Sequence, residues 1–500
     1  ALLLFRMGDF YELFHEDARI ASRELGLSLT SRDKGENPIP MAGFPHHQLE
    51  PYLSRLIHAG FRAAVCEQVQ NPKEAKGLVK REIARIVSPG TLTDDAMLDP
   101  RESNYLLALV KDTEQATPKD KLIEEPGDQR VGFAWADLST GRFLASVFRM
   151  SELADQLVRI GPAEVLVDEA ADCVPDYLAD QFMLTRRPAW AFGLDSAKNV
   201  LSKQFETKHL DGFGFTDEDN PAVRAAGALL DYLVETQKSS LDHFESLLPY
   251  RTGNTLEIDE ATRRSLEITR TLRDGRREGS LLSVIDRTVT AMGSRLLADW
   301  VSNPLTDKQE IESRHDSVEE LTKVNALRDK LREKLRDVYD VERLLARVST
   351  GRASPRDLAH IGRTLRQLPP VKESVQSCQS TLLQLAFDSI DLCPELCESL
   401  EAALVDDCPL LARDGGIIRD GYHEELDELR KLAAGGKQWI AEYQAREAER
   451  IGVTNLKVGF NKVFGYYLEL SNANKDKAPE EYIRKQTLKN AERYITPELK

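Results

Sequence analysis

Asp9-Phe10-Tyr11-Glu12-Leu13-Phe14, DFYELF, follows the apolar run Leu2-Leu3-Leu4-Phe5, and its reading decides which element opens the chain. Asp9 and Glu12 stand three apart, the spacing of a capping box. In that motif the first side chain accepts from an orphan N–H and the third residue reaches back. Phe10, Phe14, Ala18, Ala21 and Leu25 then fall at helical spacing. On local pattern the stretch is the mouth of a helix, and Phe10 extends its buried stripe.

Around this start, short strand-like runs such as Ala63-Ala64-Val65-Cys66 and Ile83–Val87, broken by Ser88-Pro89-Gly90, indicate a small mixed α/β domain over the first 100 or so residues. The polar stretch Lys111–Gln129 reads as a linker or long loop. Beyond it, Val131–Asp137 and Arg142–Phe148 flank Leu138-Ser139-Thr140-Gly141 as a hairpin, and Ala163–Val167 adds a strand, giving a second α/β domain to about residue 250. From Leu256 amphipathic helices dominate, one of them started by the N-cap and proline of Ser354-Pro355-Arg356-Asp357. Gly421–Arg450 predicts a helix of about 40 Å with a weak point at Gly435-Gly436. Leu456–Leu470, LKVGFNKVFGYYLEL, predicts paired strands around Phe464-Gly465. Thr496-Pro497 has the chemistry of a helix start, and Ala1 falls inside a strand-like run. We therefore expect a piece of a longer protein.

Five hundred residues exceed one core, and three to five domains are expected. No apolar run reaches the ~20 residues of a membrane span, so no membrane role is indicated. Six scattered cysteines without a C-x-x-C pair suit a reducing, cytoplasmic compartment. A net charge of −16 argues against general coating of DNA. Positive charge is local, in Lys73–Arg85 and Lys457–Arg493, which favours selective contact. No G-x-x-x-x-G-K-[ST] loop occurs; Gly435-Gly436-Lys437 is followed by Gln438. His46-His47 lacks metal-ligand spacing, and Asp137 alone is a turn residue rather than a nuclease carboxylate.

Eight stretches in order are similar to the MutS family of DNA mismatch-recognition proteins. They are Arg6–Phe14 (RMGDFYELF), Pro38–Gly43 (PIPMAG), Cys66-Glu67-Gln68, Arg85–Thr91 (RIVSPGT), Gly293–Leu305 (GSRLLADWVSNPL), Arg413–Gly416 (RDGG), Lys457–Tyr467 (KVGFNKVFGYY) and Thr487–Tyr494 (TLKNAERY). The resemblance implies a multidomain chain, α/β plus mostly α. Its parts would be a small mixed α/β mismatch-binding domain at 1–100, an α/β (RNase H-like) connector at 101–250, a long-helix core and lever at 251–440, a small β-rich clamp at 441–495, and the start of a returning lever helix at 496–500.

In the family, Phe10 would wedge beside a mispaired base and Glu12 would hydrogen-bond to it. Arg32, Met41 and Arg85 would lie near DNA in the first domain, and Asn461, Lys489 and Asn490 in the clamp. For Met41, ordinary side-chain packing is an equal alternative. The resemblance further implies mismatched double-stranded DNA as partner, a homodimer, downstream proteins such as MutL, and a bacterial cytoplasmic setting. ATP and magnesium would be used by an ATPase domain beyond Lys500, and this chain, without a phosphate loop, is expected to be ATP-inert. A DNA-clamping structural or meiotic relative without mismatch sensing is the alternative, disfavoured by the Phe10–Glu12 pair.

Overall fold

The computed structural model describes residues 1–31, 38–70, 79–112, 129–170, 174–461, 463 and 465–499. They form two compact units, Ala1–Glu401 with Asp406–Gly415, and Ala402–Val405 with Gly416–Lys500.

The chain opens as a hairpin. β1 (Leu2–Met7) pairs antiparallel with β2 (Phe10–Phe14) through Met7 opposite Phe10, and the two-residue turn places Gly8 at φ 61°, a conformation glycine adopts without steric cost. The expected capping box at Asp9 and Glu12 is thus corrected. α1 (His15–Leu25) begins only after Phe14. The reason is the period: Tyr11 and Leu13 are buried while Phe10, Glu12 and Phe14 are not, an alternation of two, whereas Ala18, Ala21 and Leu25 keep the helical period inside α1.

β3 (Thr30–Ser31), β4 (Pro40–Pro45), α2 (Leu49–His58), β5 (Ala63–Gln68) and β6 (Arg81–Val87) complete a six-stranded sheet, ordered β3-β4-β2-β1-β5-β6. Both helices cover one face, where Leu4, Tyr11, Leu13, Ala21, Phe44, Leu53 and Leu56 form the core. Among the described residues, neither α1 nor α2 reaches the other face.

The SPGT turn of Ser88–Thr91 seals this sheet to the next. Ser88 Oγ, the Gly90 N–H (3.2 Å), Thr185 Oγ1 (2.6 Å) and Tyr232 OH (3.0 Å) all donate to the fully buried carboxylate of Glu164. Four donors meet the solvation a buried carboxylate would otherwise lack.

The second sheet contains β7 (Tyr105–Lys111), β8 (Arg130–Asp137), β9 (Arg142–Arg149), β10 (Glu164–Asp168), β11 (Leu184–Arg187) and β12 (Leu248–Pro249), ordered β11-β10-β7-β8-β9-β12. β8 runs antiparallel to both β7 and β9, and β10 and β11 run parallel to β7. The predicted 138–141 hairpin is present, and Asp137 is its turn residue, accepting from Ser139 N (2.9 Å) and Oγ (2.7 Å). Both faces are covered, which is why these strands read as continuous apolar runs. α3 (Leu153–Ile160) and α4 (Asp176–Ala179) lie on one side, α5 (Leu194–Gln204) and α6 (Asn220–Gln237) on the other. Most of the predicted 111–129 linker lies outside the described residues.

Helices follow: α7 (Glu260–Ser265), α8 (Leu281–Ile285), α9 (Ala291–Ser302), α10 (Lys308–Lys323), α11 (Asn325–Leu335), α12 (Val341–Ser349), α13 (Pro355–Val375), α14 (Thr381–Ser389) and α15 (Pro394–Ala403). Ser354 is the predicted N-cap of α13, with Pro355 in its first turn, and Asp357 completes a capping box with it. Asp286 is a polar anchor of this region, accepting from Ser294 Oγ (2.6 Å), Thr288 Oγ1 (2.6 Å) and Arg277 Nη2 (2.5 Å). Burial alone would raise its carboxyl, but the Ser294 and Thr288 hydrogen bonds and the Arg277 charge outweigh that and hold it down to about 2. A depressed folded-state pKa stabilises above the unfolded value, near 3.9, and that stability is lost as pH falls through about 2. Asp286→Asn is therefore expected to cost about 2 kcal/mol at neutral pH and to shrink its gap from the parent below pH 3. A constant gap in acid denaturation would refute this.

In the second unit, α16 (Glu424–Arg450) runs unbroken through Gly435-Gly436. Leu429 and Leu432 on it are exposed. β13 (Lys457–Asn461), β14 (Gly465–Ser471), β15 (Ile483–Thr487) and β16 (Ala491–Ile495) form an antiparallel sheet ordered β13-β14-β16-β15. The sheet seats on the end of α16 through Tyr443, Ile451, Leu468, Leu470, Tyr482 and Tyr494. Buried Glu447 accepts from Tyr482 OH (2.5 Å) and pairs with Arg450 (2.8 Å). The predicted helix start at Thr496-Pro497 is followed by a 3-10 turn, Pro497–Leu499, and Lys500 lies outside the described residues.

Candidate nucleic-acid interface

β2 is held in one rotational setting. Tyr11 is 1% exposed and Leu13 fully buried; the Tyr11 hydroxyl donates to Glu67, and the Arg6 guanidinium lies 5.6 Å from the Tyr11 ring centre. Burial and the Glu67 carboxylate push the Tyr11 phenol far above its ordinary range, so it remains a neutral donor. With Tyr11 fixed toward the helices, strand alternation turns Phe10 and Glu12 to the opposite face, where Glu12 is half-buried. Phe10 is 47% exposed at the hairpin rim.

The register brings further residues to that face. Phe10 stands opposite Pro45, Glu12 opposite Gly43, and Phe14 opposite Met41. Met41 is half-buried on β4 and shares the face with Phe10 and Glu12. Gly43 has a steric reason: a Cβ there would meet the Tyr11 carbonyl oxygen at 2.8 Å and Glu12 Cγ at 3.5 Å. Glycine lets β4 lie this close to the β2 backbone at Tyr11. On the other side of the hairpin Arg81 stacks 5.3 Å from the Phe5 ring centre and donates to the Arg6 carbonyl at 2.8 Å. Gly43 was not singled out from sequence, although it lies inside the PIPMAG motif, and Arg81 was read only as one of the cations of the Lys73–Arg85 cluster.

Arg85 does not join this face. It lies on the helix side, 13% exposed, paired with Glu50 (3.1 Å) and Asp94 (3.0 Å). Two carboxylates already occupy its guanidinium, so in this structure Arg85 stands in a structural ion pair. Arg32, Lys73 and Lys76 lie outside the described residues.

The clamp candidates fall at opposite ends of the small sheet. Asn461 closes β13 opposite Gly465, at the start of β14, and its Oδ1 accepts from Val463 N at 2.8 Å. Lys489 and Asn490 form the β15–β16 turn beside Ser471, at the end of β14, where Asn472 donates to the Lys489 carbonyl (3.0 Å) and the Asn490 carbonyl (3.1 Å). Seven residues of β14 separate the two places, about 20 Å at strand rise. Lys489 and Asn490 are exposed. Phe464, named as the centre of the first turn, is outside the described residues. Among the described residues no group of His, Cys, Asp and Glu is arranged to hold a metal, and no helix is long and apolar enough to cross a membrane.

Comparison with known families matches residues 1–96 to MutS domain I, 104–245 to MutS domain II and 261–494 to MutS domain III. The DNA mismatch repair protein MutS of Rhodopirellula baltica is 57% identical over 507 residues, spanning 100% of this chain and 57% of that protein. The proteins of the same name from Salinibacter ruber and Halothermothrix orenii are 44% and 43% identical, again over 100% of this chain, and over 54% and 55% of their own lengths. The chain thus spans little more than half of these relatives. A sheet face away from α1 and α2 bearing Phe10 and Glu12, a β-rich tip on a long helix, and the three matched domains together make this chain a member of the MutS family.

Proposed function

We propose that this chain is the DNA-reading part of a mismatch repair protein, in which Phe10 wedges beside a mispaired or unpaired base and Glu12 hydrogen-bonds to it. The observation that carries the reading is the setting of β2, with Tyr11 and Leu13 anchored and Phe10 and Glu12 on the face away from the helices, Phe10 exposed at the rim and Glu12 half-buried. Wedge insertion costs a few kcal/mol of unstacking, least where pairing is already broken, so discrimination rests on deformability as well as contact. A carboxylate is costly beside phosphates, and Glu12 penalises placements that offer it no donor. Met41 lines the same face. Asn461, Lys489 and Asn490 supply positioning contacts from the clamp.

In the longer protein the same reading brings a homodimer, ATP-driven switching with magnesium, and hand-over to partners such as MutL in the bacterial cytoplasm. The sequence of this chain contains no phosphate loop to hold ATP. Titrating the chain against homoduplex and G·T-containing duplex, with cleavage by divalent metal checked in the same tubes, tests the proposal. Tighter binding to G·T supports it; equal binding favours a DNA-clamping relative without mismatch sensing, and cleavage favours a nuclease.

Lys489→Glu is expected to weaken matched and mismatched binding by a similar factor and to flatten the log–log salt slope by about 0.9 per lost phosphate contact. Phosphate contacts position without reading bases. Loss of mismatch binding alone, read in a salt series on both duplexes, would contradict the clamp assignment.

A further inference from the structure

We infer that Glu67 is a positioning residue for the mismatch-reading strand: by accepting the Tyr11 hydroxyl it fixes the setting of β2, and with it the places of Phe10 and Glu12. The inference rests on the wedge reading of Phe10 and names what holds the wedge. Glu67 lies in the Cys66-Glu67-Gln68 stretch at the end of β5, which makes none of the proposed DNA contacts. The last β1–β5 pair is Phe5 with Cys66, so β1 runs on to the hairpin turn without β5 backbone beside it. Side chains take over there. Gln68 Nε2 (3.4 Å) and Arg81 Nε (2.8 Å) donate to the Arg6 carbonyl. Arg6 Nε donates to the Gly8 carbonyl, and the His46 N–H donates to the Asp9 carbonyl at 2.8 Å, so both carbonyls of the Gly8-Asp9 turn are held.

The rotation of β2 is decided at Tyr11. Its ring is buried, 5.8 Å from that of Phe44, and its hydroxyl donates to Glu67. A buried phenol without an acceptor is costly. Water is the alternative acceptor, and Tyr11 reaches it only by turning out of the core. Alternate residues of a strand face opposite sides, so that movement carries Phe10 and Glu12 off the face they share. Glu67 also pairs with Arg6, but at 3.8 Å and with side chains 20% exposed on Arg6 and 36% on Glu67, and a partly exposed pair at that separation contributes little. The Tyr11 bond, from a buried donor to a charged acceptor, is the larger effect.

A wedge acts only when it is already in place. If the competent setting of β2 falls to about a tenth of the molecules, affinity for a mispair falls about tenfold. Phosphate contacts do not use the wedge, so binding to paired duplex stays as it was. Glu67→Leu fills the place of the side chain without offering an acceptor. Hydrogen exchange over residues 7–14, read by mass spectrometry without DNA, should then run about tenfold faster. It should return close to the parent rate when Tyr11→Phe is added, because no hydroxyl is left without a partner.

In anisotropy titrations of the chain extended to the length of its relatives, Glu67→Leu should lose about tenfold in preference for G·T-containing over paired duplex, and Tyr11→Phe should restore most of it. Added to Phe10→Ala, Glu67→Leu should lower selectivity no further, since a residue acting through the wedge has nothing left to place. Unchanged exchange in Glu67→Leu, exchange that stays fast once Tyr11→Phe is added, or an equal further loss on top of Phe10→Ala would overturn the inference. Selectivity lost in Phe10→Ala but kept in Glu67→Leu overturns the positioning role and leaves the wedge standing. Selectivity kept in Phe10→Ala overturns the wedge reading, and the exchange result then decides alone whether Glu67 holds β2. Should Glu67→Leu fail to fold, folding of the variant that also carries Tyr11→Phe supports the inference, and failure of both overturns it.

Discussion

Phe10→Ala is expected to remove most of the preference for mismatched over paired duplex while leaving the fold and the salt-dependent, non-selective binding in place. Stacking of a base on an aromatic is worth ~1–3 kcal/mol by alanine substitution, about fivefold to more than a hundredfold in affinity. The loss should fall on the mismatched duplex alone, because a wedge finds a gap only where stacking is already broken. Stability should change by no more than about 0.5 kcal/mol, since Phe10 is 47% exposed and lies outside the core formed by Tyr11, Leu13 and Phe44. Glu12→Gln is the companion variant. It keeps a hydrogen-bonding group without the charge, so homoduplex affinity should rise, most at low salt. Anisotropy titrations with both duplexes, run in the chain extended to the length of its relatives, measure these changes. Undiminished selectivity in Phe10→Ala would return the residue to a merely structural role at the hairpin rim.

The same stretch shows where sequence reading succeeded and where it could not. Asp9 and Glu12 satisfy a capping-box spacing, but Gly8-Asp9 equally satisfies a two-residue hairpin turn, and only pairing of Phe5 with Glu12 and Glu12 with Gly43 decides between them. The apparent helical stripe from Phe10 to Leu25 joins a strand and a helix that meet at Phe14, so its first two members matched the period by coincidence. Signals closed within a few residues were legible: the Ser354 N-cap, the 138–141 hairpin, and the paired strands within Leu456–Leu470. Signals that depend on distant partners were not. Arg85 reads as a free cation in a basic cluster until Glu50 and Asp94 are brought to it. The separation of Asn461 from Lys489 exists only in the register of β14 with β13 and β16. The resemblance supplied Phe10 and Glu12 as a pair; the physical reason they act together, two residues of one strand face with a glycine opposite, appears only in the folded sheet.

Arg343→Met is expected to loosen the segment that joins the first sheet to the second. Residues 93–102 make no strand, and their polar backbone must find partners elsewhere. Arginines of the helical region bind its carbonyls and its side chains. Arg352 donates to Thr93 Oγ1 (2.8 Å), Arg347 to Asp95 (2.7 Å), Arg295 to the Pro100 carbonyl (2.9 Å) and Arg277 to the Arg101 carbonyl (3.0 Å). Arg343, 2% exposed, donates to the carbonyls of Asp99 (3.0 Å) and Glu102 (2.7 Å). Methionine fills much of the volume but strands both carbonyls, at ~1.5 kcal/mol or more for each lost charge-assisted bond. Relief of the buried charge returns part of this, since Arg343 reaches its nearest carboxylate, Asp340, only at 3.9 Å. A net cost on the order of 2 kcal/mol corresponds to about thirtyfold more frequent local opening. Tryptic cleavage after Arg101, whose carbonyl is held by Arg277, should accelerate by about that factor, while Phe10 and Glu12, set by Tyr11 and Leu13 rather than by this segment, keep their exposure. In the proposed reading such a variant still meets a mispair through the first sheet but passes less of the binding energy to the rest of the chain. Unchanged cleavage after Arg101 in Arg343→Met, alongside an unchanged melting midpoint, would show that the arginines are passengers on the segment and not what holds it.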